Sequence, residues 1–145
     1  MNFLELINKC LLELNYKQVN AISELVKNDH KRIMSILNVI NKEIAKIDWN
    51  CSSREVHNLI RGLNPWPIAH TNYQGQTMKI YESSSLNENS NKEAGTILSV
   101  DKTGMKVSCG SGILLVKKVQ FPNGKPLTIE QYINGNSIEE GIKLI

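Results

Sequence analysis

Acidic residues vanish from one long stretch of this 145-residue chain. Between Lys102 and Thr128 there is no Asp or Glu, while Lys102, Lys106, Lys117, Lys118 and Lys125 all fall inside it. Other shortages exclude whole classes of function. Aromatics make up only 6% of the residues, which argues against a surface that reads bases with many stacked rings. The candidates are Trp66, Tyr73, Tyr81, Phe121 and Tyr132, and of these Trp66 and Phe121 are expected in the core. The three cysteines, Cys10, Cys51 and Cys109, form no CxxC pair and read as reduced thiols. No apolar run approaches the roughly 18 residues of a membrane span. The opening MNFLELINKC lacks a basic leader region, so no signal peptide is expected and the compartment implied is the cytoplasm.

Catalytic sets are missing too. His30, His57 and His70 show neither metal-ligand spacing nor an acidic partner at a telling interval, so no metal is expected. His57 is expected to be structural or at the surface. There is no phosphate loop and no G-x-S-x-G elbow. The SCGSGI segment resembles a nucleophile loop only superficially. It reads more simply as a hairpin turn beside a strand cysteine, because Cys109 has no recognisable base. No catalytic residue is expected anywhere in the chain.

What is present is a change of pattern halfway along. Phe3, Ile7, Cys10, Leu11 and Leu14 recur at helical spacing, as do Val19, Ile22, Leu25 and Val26. The run 33–40 fits a third helix or an extended connector equally well. Residues 51–63 carry clearer marks, with Ser52 and Glu55 forming a capping box, Val56, Leu59 and Ile60 an apolar face, and Gly62 a C-terminal stop. Strand patterns follow. QTMKIYES alternates, Met78 and Ile80 facing one way and Lys79 and Tyr81 the other. Residues 83–93 read as a solvated loop. GTILSV, GMKVSC and GILLVKKVQF read as strands, with turns at Asp101–Gly104 and Gly110–Gly112. Thr128 and Gln131 form a second capping box over a short helix that ends at Gly135, and GIKLI fits a last strand. The expected class is α+β, helices first and then a small antiparallel barrel or sheet, with the change at 62–67.

The net charge of +3 permits a polyanionic partner without requiring one. The basic residues singled out for a phosphate backbone are Lys106, Lys117, Lys118 and Lys125 on the strands and turns, with Arg54 and Arg61 on the capped helix. In a regular strand Lys117 and Lys118 point to opposite faces, so only one of them can share a face with Lys106. Asn64, Pro65, Trp66 and Pro67 form a stiff corner, since each proline fixes its own φ and restrains the residue before it.

That corner lies in a longer stretch, INKEIAKIDWNCSSREVHNLIRGLNPWPIAHT. It closely resembles the segment that opens the C-terminal domain of methionyl-tRNA formyltransferases. The matching residues are Lys46 to Trp49, His57, Asn58, Arg61, Gly62, Asn64 to Pro67 and Ala69. KIYES resembles the family's first barrel strand, and AGTIL, CGSGIL and INGN match further elements in the same order. The resemblance covers about residues 41 to 145 and is weak over 1 to 40. It departs at Ile68, where the family usually has glycine, and at His70, where an aromatic is common. If that glycine serves a left-handed φ, Ile68 is expected to be at odds with it.

The periodicity gives a helical segment over 1–40, and the resemblance implies a connector and capped helix over 41–66 and an OB-like barrel with a short C-terminal helix over 67–145. It implies binding of the initiator tRNA along the backbone of its acceptor arm. Formyl transfer from 10-formyltetrahydrofolate belongs to a separate catalytic domain whose motifs are not found in this chain, so no cofactor is expected here. The corner is expected to turn the chain from the connector helix into the barrel with Trp66 plugging its end, a structural role preferred to direct RNA contact. Two other functions remain compatible with the sequence: a scaffold domain of a sugar-nucleotide formyltransferase, or a protein–protein module built on helices 1–27.

Overall fold

The structure is a computed structural model that describes residues 30–145, with side chains from residue 35 onward. The helices expected over 2–14 and 18–27 lie outside the described residues. Two compact units meet at Ile44/Ala45. Helix α1, His30–Ala45, settles the ambiguous run at 33–40 in favour of helix. Its apolar residues Ile36, Leu37, Ile40 and Ile44 recur at the three- and four-residue intervals of one helical face.

The unit Ala45–Ile145 is α+β. Helix α2, Ser53–Leu63, precedes an antiparallel sheet of β1 (His70–Tyr73), β2 (Gln76–Leu86), β3 (Ile97–Asp101), β4 (Gly104–Ser108), β5 (Ile113–Gln120) and β6 (Leu127–Thr128). Helix α3, Ile129–Ile133, follows under the Thr128–Gln131 capping box. The strand order is β1-β2-β5-β4-β3, with β6 added to β5. The sheet curls into a half-barrel around Met78, Ile80, Ile97, Met105, Val107, Leu114, Val116 and Val119, all fully buried. These are the inward positions of alternating strands.

Beta-2 is longer than the sequence pattern suggested. Ser83 to Leu86, expected in a loop, pair with Val116 to Ile113 of β5. Their serines carry no aliphatic signal, yet their backbones complete the ladder. Beta-1 also precedes the strand expected to come first. Gly62 lies inside α2 and does not stop it, because the helix ends at Asn64, whose extended backbone leads into Pro65.

The register between β2 and β5 shifts between Ile80 and Glu82 and again before Ser83. On β5 the inward residues are Leu114 and Val116, then Val119, a step of three rather than two. This irregularity lets both Lys117 and Lys118 avoid the interior.

The last residues lace the sheet closed. Ile97 N–H donates to the Ile142 carbonyl (2.9 Å) and Leu144 N–H to the Gly95 carbonyl (2.9 Å) on one side. On the other side Asn72 and Ile145 exchange both backbone bonds, at 2.7 and 3.2 Å. The GIKLI segment thus joins both edges of the half-barrel, leaving less exposed ladder than an open sheet. Ile47 N–H, bonded to the His70 carbonyl at 2.9 Å, covers the start of β1.

The buried tryptophan is Trp49, not the Trp66 expected in the core. Trp66 is 53% exposed and so does not plug the barrel, whereas Trp49 is only 4% exposed. The Trp49 indole N–H donates to Thr71 Oγ1 at 2.9 Å. The Thr71 hydroxyl in turn donates to the Ile145 carbonyl at 3.2 Å. A buried indole needs such an acceptor, and Trp66, confined between two prolines, has none among the described residues. Both bonds at the corner, Asn64–Pro65 and Trp66–Pro67, are cis. Phe121 is half-buried, edge-on to Tyr73 (5.9 Å) and stacked on Tyr132 (4.6 Å).

Ile68 resolves the departure at the usual glycine. It keeps a left-handed φ of 71° although it is β-branched. Its side chain is buried, its N–H bonds the Leu63 carbonyl, and the next carbonyl, of Ala69, accepts from Ile80. Packing and hydrogen bonds on both sides hold the strained residue in place. Replacing Ile68 by glycine or by alanine removes nearly the same packing, alanine keeping only the β-carbon, but only glycine removes the strain. The left-handed penalty of about 1–2 kcal/mol exceeds glycine's entropic cost of about 0.5–1 kcal/mol. Urea unfolding is therefore expected to rank Ile68→Gly above Ile68→Ala by about 0.5–1 kcal/mol, the reverse of the usual order. The usual order would show that position 68 carries no such strain.

Candidate functional site

Alpha-2 is fixed at its start by its own cap. Glu55 N–H donates to Ser52 Oγ (3.2 Å), and the Glu55 carboxylate accepts from Ser52 N–H (2.8 Å) and Oγ–H (2.9 Å). The backbone bond and then the hydroxyl bond hold the Glu55 carboxyl below the usual range. The β4–β5 turn clamps the same end. Ser53 N–H donates to the Ser111 carbonyl at 2.8 Å. Gly110 N–H lies 2.9 Å from the Trp49 carbonyl and 3.0 Å from that of Cys51. A Cβ at Gly110 would fall on the Asn50 carbonyl, and one at Gly112 on Ser53 Oγ. The glycines of CGSG thus admit the chain that leads into α2.

The helix then lies along β2 through a ladder of polar contacts. Ser53 Oγ meets Ser85 Oγ at 2.7 Å, His57 Nδ1 meets Ser83 Oγ at 2.9 Å, and Asn64 Nδ2 donates to the Tyr81 carbonyl at 3.1 Å. Four helical residues advance about 6 Å and two strand residues about 6.6 Å, so Ser53 and His57 stay in step with Ser85 and Ser83. Val56, Ile60 and Leu63 bury the apolar stripe beside this ladder.

An open groove of about 940 Å³ runs along the outer flank of α2. Arg54, His57, Asn58 and Arg61 form its helical wall, and Ser84 to Asn89 with Ser111 and Gly112 the opposite side. A smaller hollow of about 290 Å³ continues it past His57 and Arg61 to Asn64, Tyr81 and Lys117.

The six basic residues sort into three groups. Arg54, Arg61 and Lys117 converge on the groove and hollow, exposed and without an ion-pair partner among the described residues. Arg61 donates only to Asn58 Oδ1, at 3.3 Å. Lys106 and Lys118 lie nearby but are engaged, with Glu88 at 3.3 Å and Glu82 at 3.8 Å. Both pairs are partly exposed, where such bridges contribute little and exchange readily. Lys125 sits in the exposed turn between β5 and β6 and lines neither space. Asn64 lines the hollow, whereas Pro65, Trp66 and Pro67 do not.

The thiols are poor nucleophiles. Burial pushes Cys109 up to about 11, and its Sγ faces the Val107 carbonyl at 3.9 Å. Cys51 is raised by burial and then by the nearby carboxylates of Asp48 and Glu55. Among the described residues no group of three His, Cys, Asp or Glu side chains is placed to hold a metal, and no helix is long and apolar enough to cross a membrane.

His57 reports on the groove's field. Burial first, then the positive charges of Arg61 and Lys117, hold it below its ordinary value of 6.5. Its depressed value means that the unfolded chain binds the extra proton more readily. Stability is therefore expected to fall as pH drops through 6.5, while Glu55, Glu93 and Asp101, also held low, respond only below their ordinary 4.5, 4.5 and 3.8. Urea unfolding between neutral pH and about pH 5 should show this slope, and His57→Gln should flatten it. An unchanged slope would place the titrating group elsewhere.

Comparison with known proteins places this arrangement in a family. Residues 39–137 match the model of the formyl transferase C-terminal domain. A methionyl-tRNA formyltransferase of Clostridium beijerinckii is 55% identical over 134 residues, which are 91% of this chain and 44% of that protein. The alignment is longer than 41–145 alone, so it extends into the first forty residues, where the resemblance had looked weak. A methionyl-tRNA formyltransferase of Clostridium perfringens is 59% identical over 103 residues, 71% of this chain and 33% of that one. The chain thus spans less than half the length of these curated relatives. Among solved structures, HypX from Aquifex aeolicus in complex with tetrahydrofolic acid aligns with a TM-score of 0.53 at 13% identity, covering 60% of this chain and 16% of that one, a likeness of fold alone. With its capped helix, curled sheet and matched sequence, the chain belongs to the formyl transferase C-terminal domain family.

Proposed function

We propose that this chain is the tRNA-binding C-terminal part of a cytoplasmic methionyl-tRNA formyltransferase, and that the groove beside α2 takes the phosphate backbone of the initiator tRNA's acceptor arm. The observation that carries this reading is the convergence of Arg54, Arg61 and Lys117 on one open groove in a chain 55% identical to a methionyl-tRNA formyltransferase. Arg61 and Arg54 lie seven residues apart on α2 and so face the same way. Their guanidinium groups suit phosphate oxygens, and Lys117 adds a point charge beyond them. Asn58 and the groove's serines supply neutral hydrogen bonds to the same oxygens. Lys106 and Lys118 join only by leaving Glu88 and Glu82, and Lys125 plays no part in this groove.

Formyl transfer itself, with 10-formyltetrahydrofolate as donor, belongs under this reading to a catalytic domain outside the chain. The domain's share is to position the RNA. Backbone contacts of this kind give dissociation constants on the order of 10⁻⁴ to 10⁻⁶ M when sequence is not read.

Titration of the full chain with uncharged initiator tRNA at several salt concentrations tests the proposal. Affinity should fall with salt, and each phosphate contact removed should reduce the logarithmic slope by about 0.9. Arg61→Glu and Lys117→Glu should each weaken binding at least tenfold at low salt, and Lys118→Glu less. Lys125→Glu should leave affinity unchanged. Salt-independent binding, or equal losses at positions 117 and 125, would remove the groove from tRNA recognition.

A further inference from the structure

Trp66 is the one large ring on the described surface that nothing in its own fold covers. It is 53% exposed, whereas Trp49 is buried and Tyr73, Tyr81, Phe121 and Tyr132 each contact other side chains or the backbone. Its exposure is imposed by the chain around it. Asn64 is tied to the Tyr81 carbonyl on one side. On the other, Ile68 turns inward in a left-handed conformation and is buried. The ring is therefore held outward at the only corner between two fixed points. Prolines on both sides reduce the backbone entropy left to lose when it is used.

The corner's surroundings decide what the ring suits. Asn64, two residues before Trp66, lines the hollow that contains Arg61 and Lys117. Besides Ile60 and Tyr81, that hollow is lined by Arg61, Asn64, Ser83 and Lys117, and it continues into the groove walled by Arg54, Asn58 and hydroxyls, so the space next to the corner supplies phosphate contacts. A cationic groove beside a lone, preorganised aromatic is the pairing that single-stranded nucleic acid exploits, with backbone in the groove and base on the ring.

We infer that Trp66 is a stacking contact for an unpaired nucleobase of the RNA whose backbone occupies the adjoining groove. The inference rests on the groove reading above. It adds a contact that is insensitive to salt and blind to phosphates, and it makes Trp66 a binding residue where the sequence suggested a core plug.

The test uses the full chain and three RNA hairpins of identical stem: one blunt, one with a four-nucleotide 3′ overhang, and one with an abasic overhang of equal length. The abasic overhang keeps the phosphates and removes the bases. The wild type should bind the base-bearing overhang about tenfold tighter than the abasic one, with quenching of tryptophan fluorescence. Trp66→Ala should erase that ratio and leave the affinity for the blunt hairpin and the salt slope as they were. Trp66→Phe should retain most of the ratio, because a smaller ring still stacks. A wild-type ratio near one, or a ratio preserved in Trp66→Ala, overturns the inference while leaving the groove intact. Absence of salt-dependent binding to any hairpin overturns the groove reading and this inference with it.

Discussion

The alignment of α2 along β2 is the constraint on which the rest of the site depends. A helix and a strand advance at different rates per residue, so side chains on them stay in register only at chosen intervals. Ser53 and His57 on the helix meet Ser85 and Ser83 on the strand because four helical steps nearly equal two extended ones. A serine at each strand position also keeps the contact short. Larger inward residues there would lift the helix off the sheet and close the groove on its outer flank. The hollow at Arg61 and Lys117 and the anchoring of Asn64 follow from the same placement.

A second dependence runs through Trp49. Its indole bonds Thr71, Thr71 bonds the Ile145 carbonyl, and Ile145 pairs with Asn72. The chain just before α2, the first strand and the last residue are thereby joined at one end of the half-barrel. The 110–112 turn approaches the same pre-helical chain from the other side. The helix that carries Arg54 and Arg61 is consequently fixed at its start by residues far away in sequence, and its far end is tied by Asn64 to the Tyr81 carbonyl. A groove assembled this way has walls set before any ligand arrives, which favours affinity by lowering the ordering cost of binding.

Local chemistry was legible in the sequence. Both capping boxes form as Ser52–Glu55 and Thr128–Gln131 spell them, and Met78 and Ile80 face the core as their alternation implies. The family resemblance also gave the helix-then-sheet order. Long-range partners were not legible. Ser83 to Ser85 carry no aliphatic signal, so their strand depends on β5 across some thirty residues of chain. The acid-free run from Lys102 to Thr128 reads in sequence as a basic stretch of five lysines. An antiparallel neighbour can import acids that the run itself lacks, and β2 with its following loop brings Glu82 to Lys118 and Glu88 to Lys106. The two lysines at 117 and 118 avoid the interior together only because of a register shift, which composition does not announce. The exposure of Trp66 escaped the sequence for a similar reason. Which indole is buried depends on an acceptor, Thr71, that is adjacent to neither in sequence.

The modest charge of the groove sets what it can contribute. Under the proposed reading three cations and a few hydroxyls would hold a backbone in place, but phosphates are alike from one RNA to the next and carry no information about sequence or pairing. Discrimination has to come from something that distinguishes an unpaired end from a duplex. In this fold that component finds little inside the groove, whose lining is hydroxyl, amide and charge apart from Leu86 and one imidazole, His57, engaged with Ser83. It has to come from an aromatic face beside it, held rigidly enough that stacking is not offset by lost freedom. Only the corner after α2 meets both conditions. The strain accepted at Ile68 is intelligible in those terms, because a relaxed turn would let the ring fold back onto the sheet and leave the groove with charge alone.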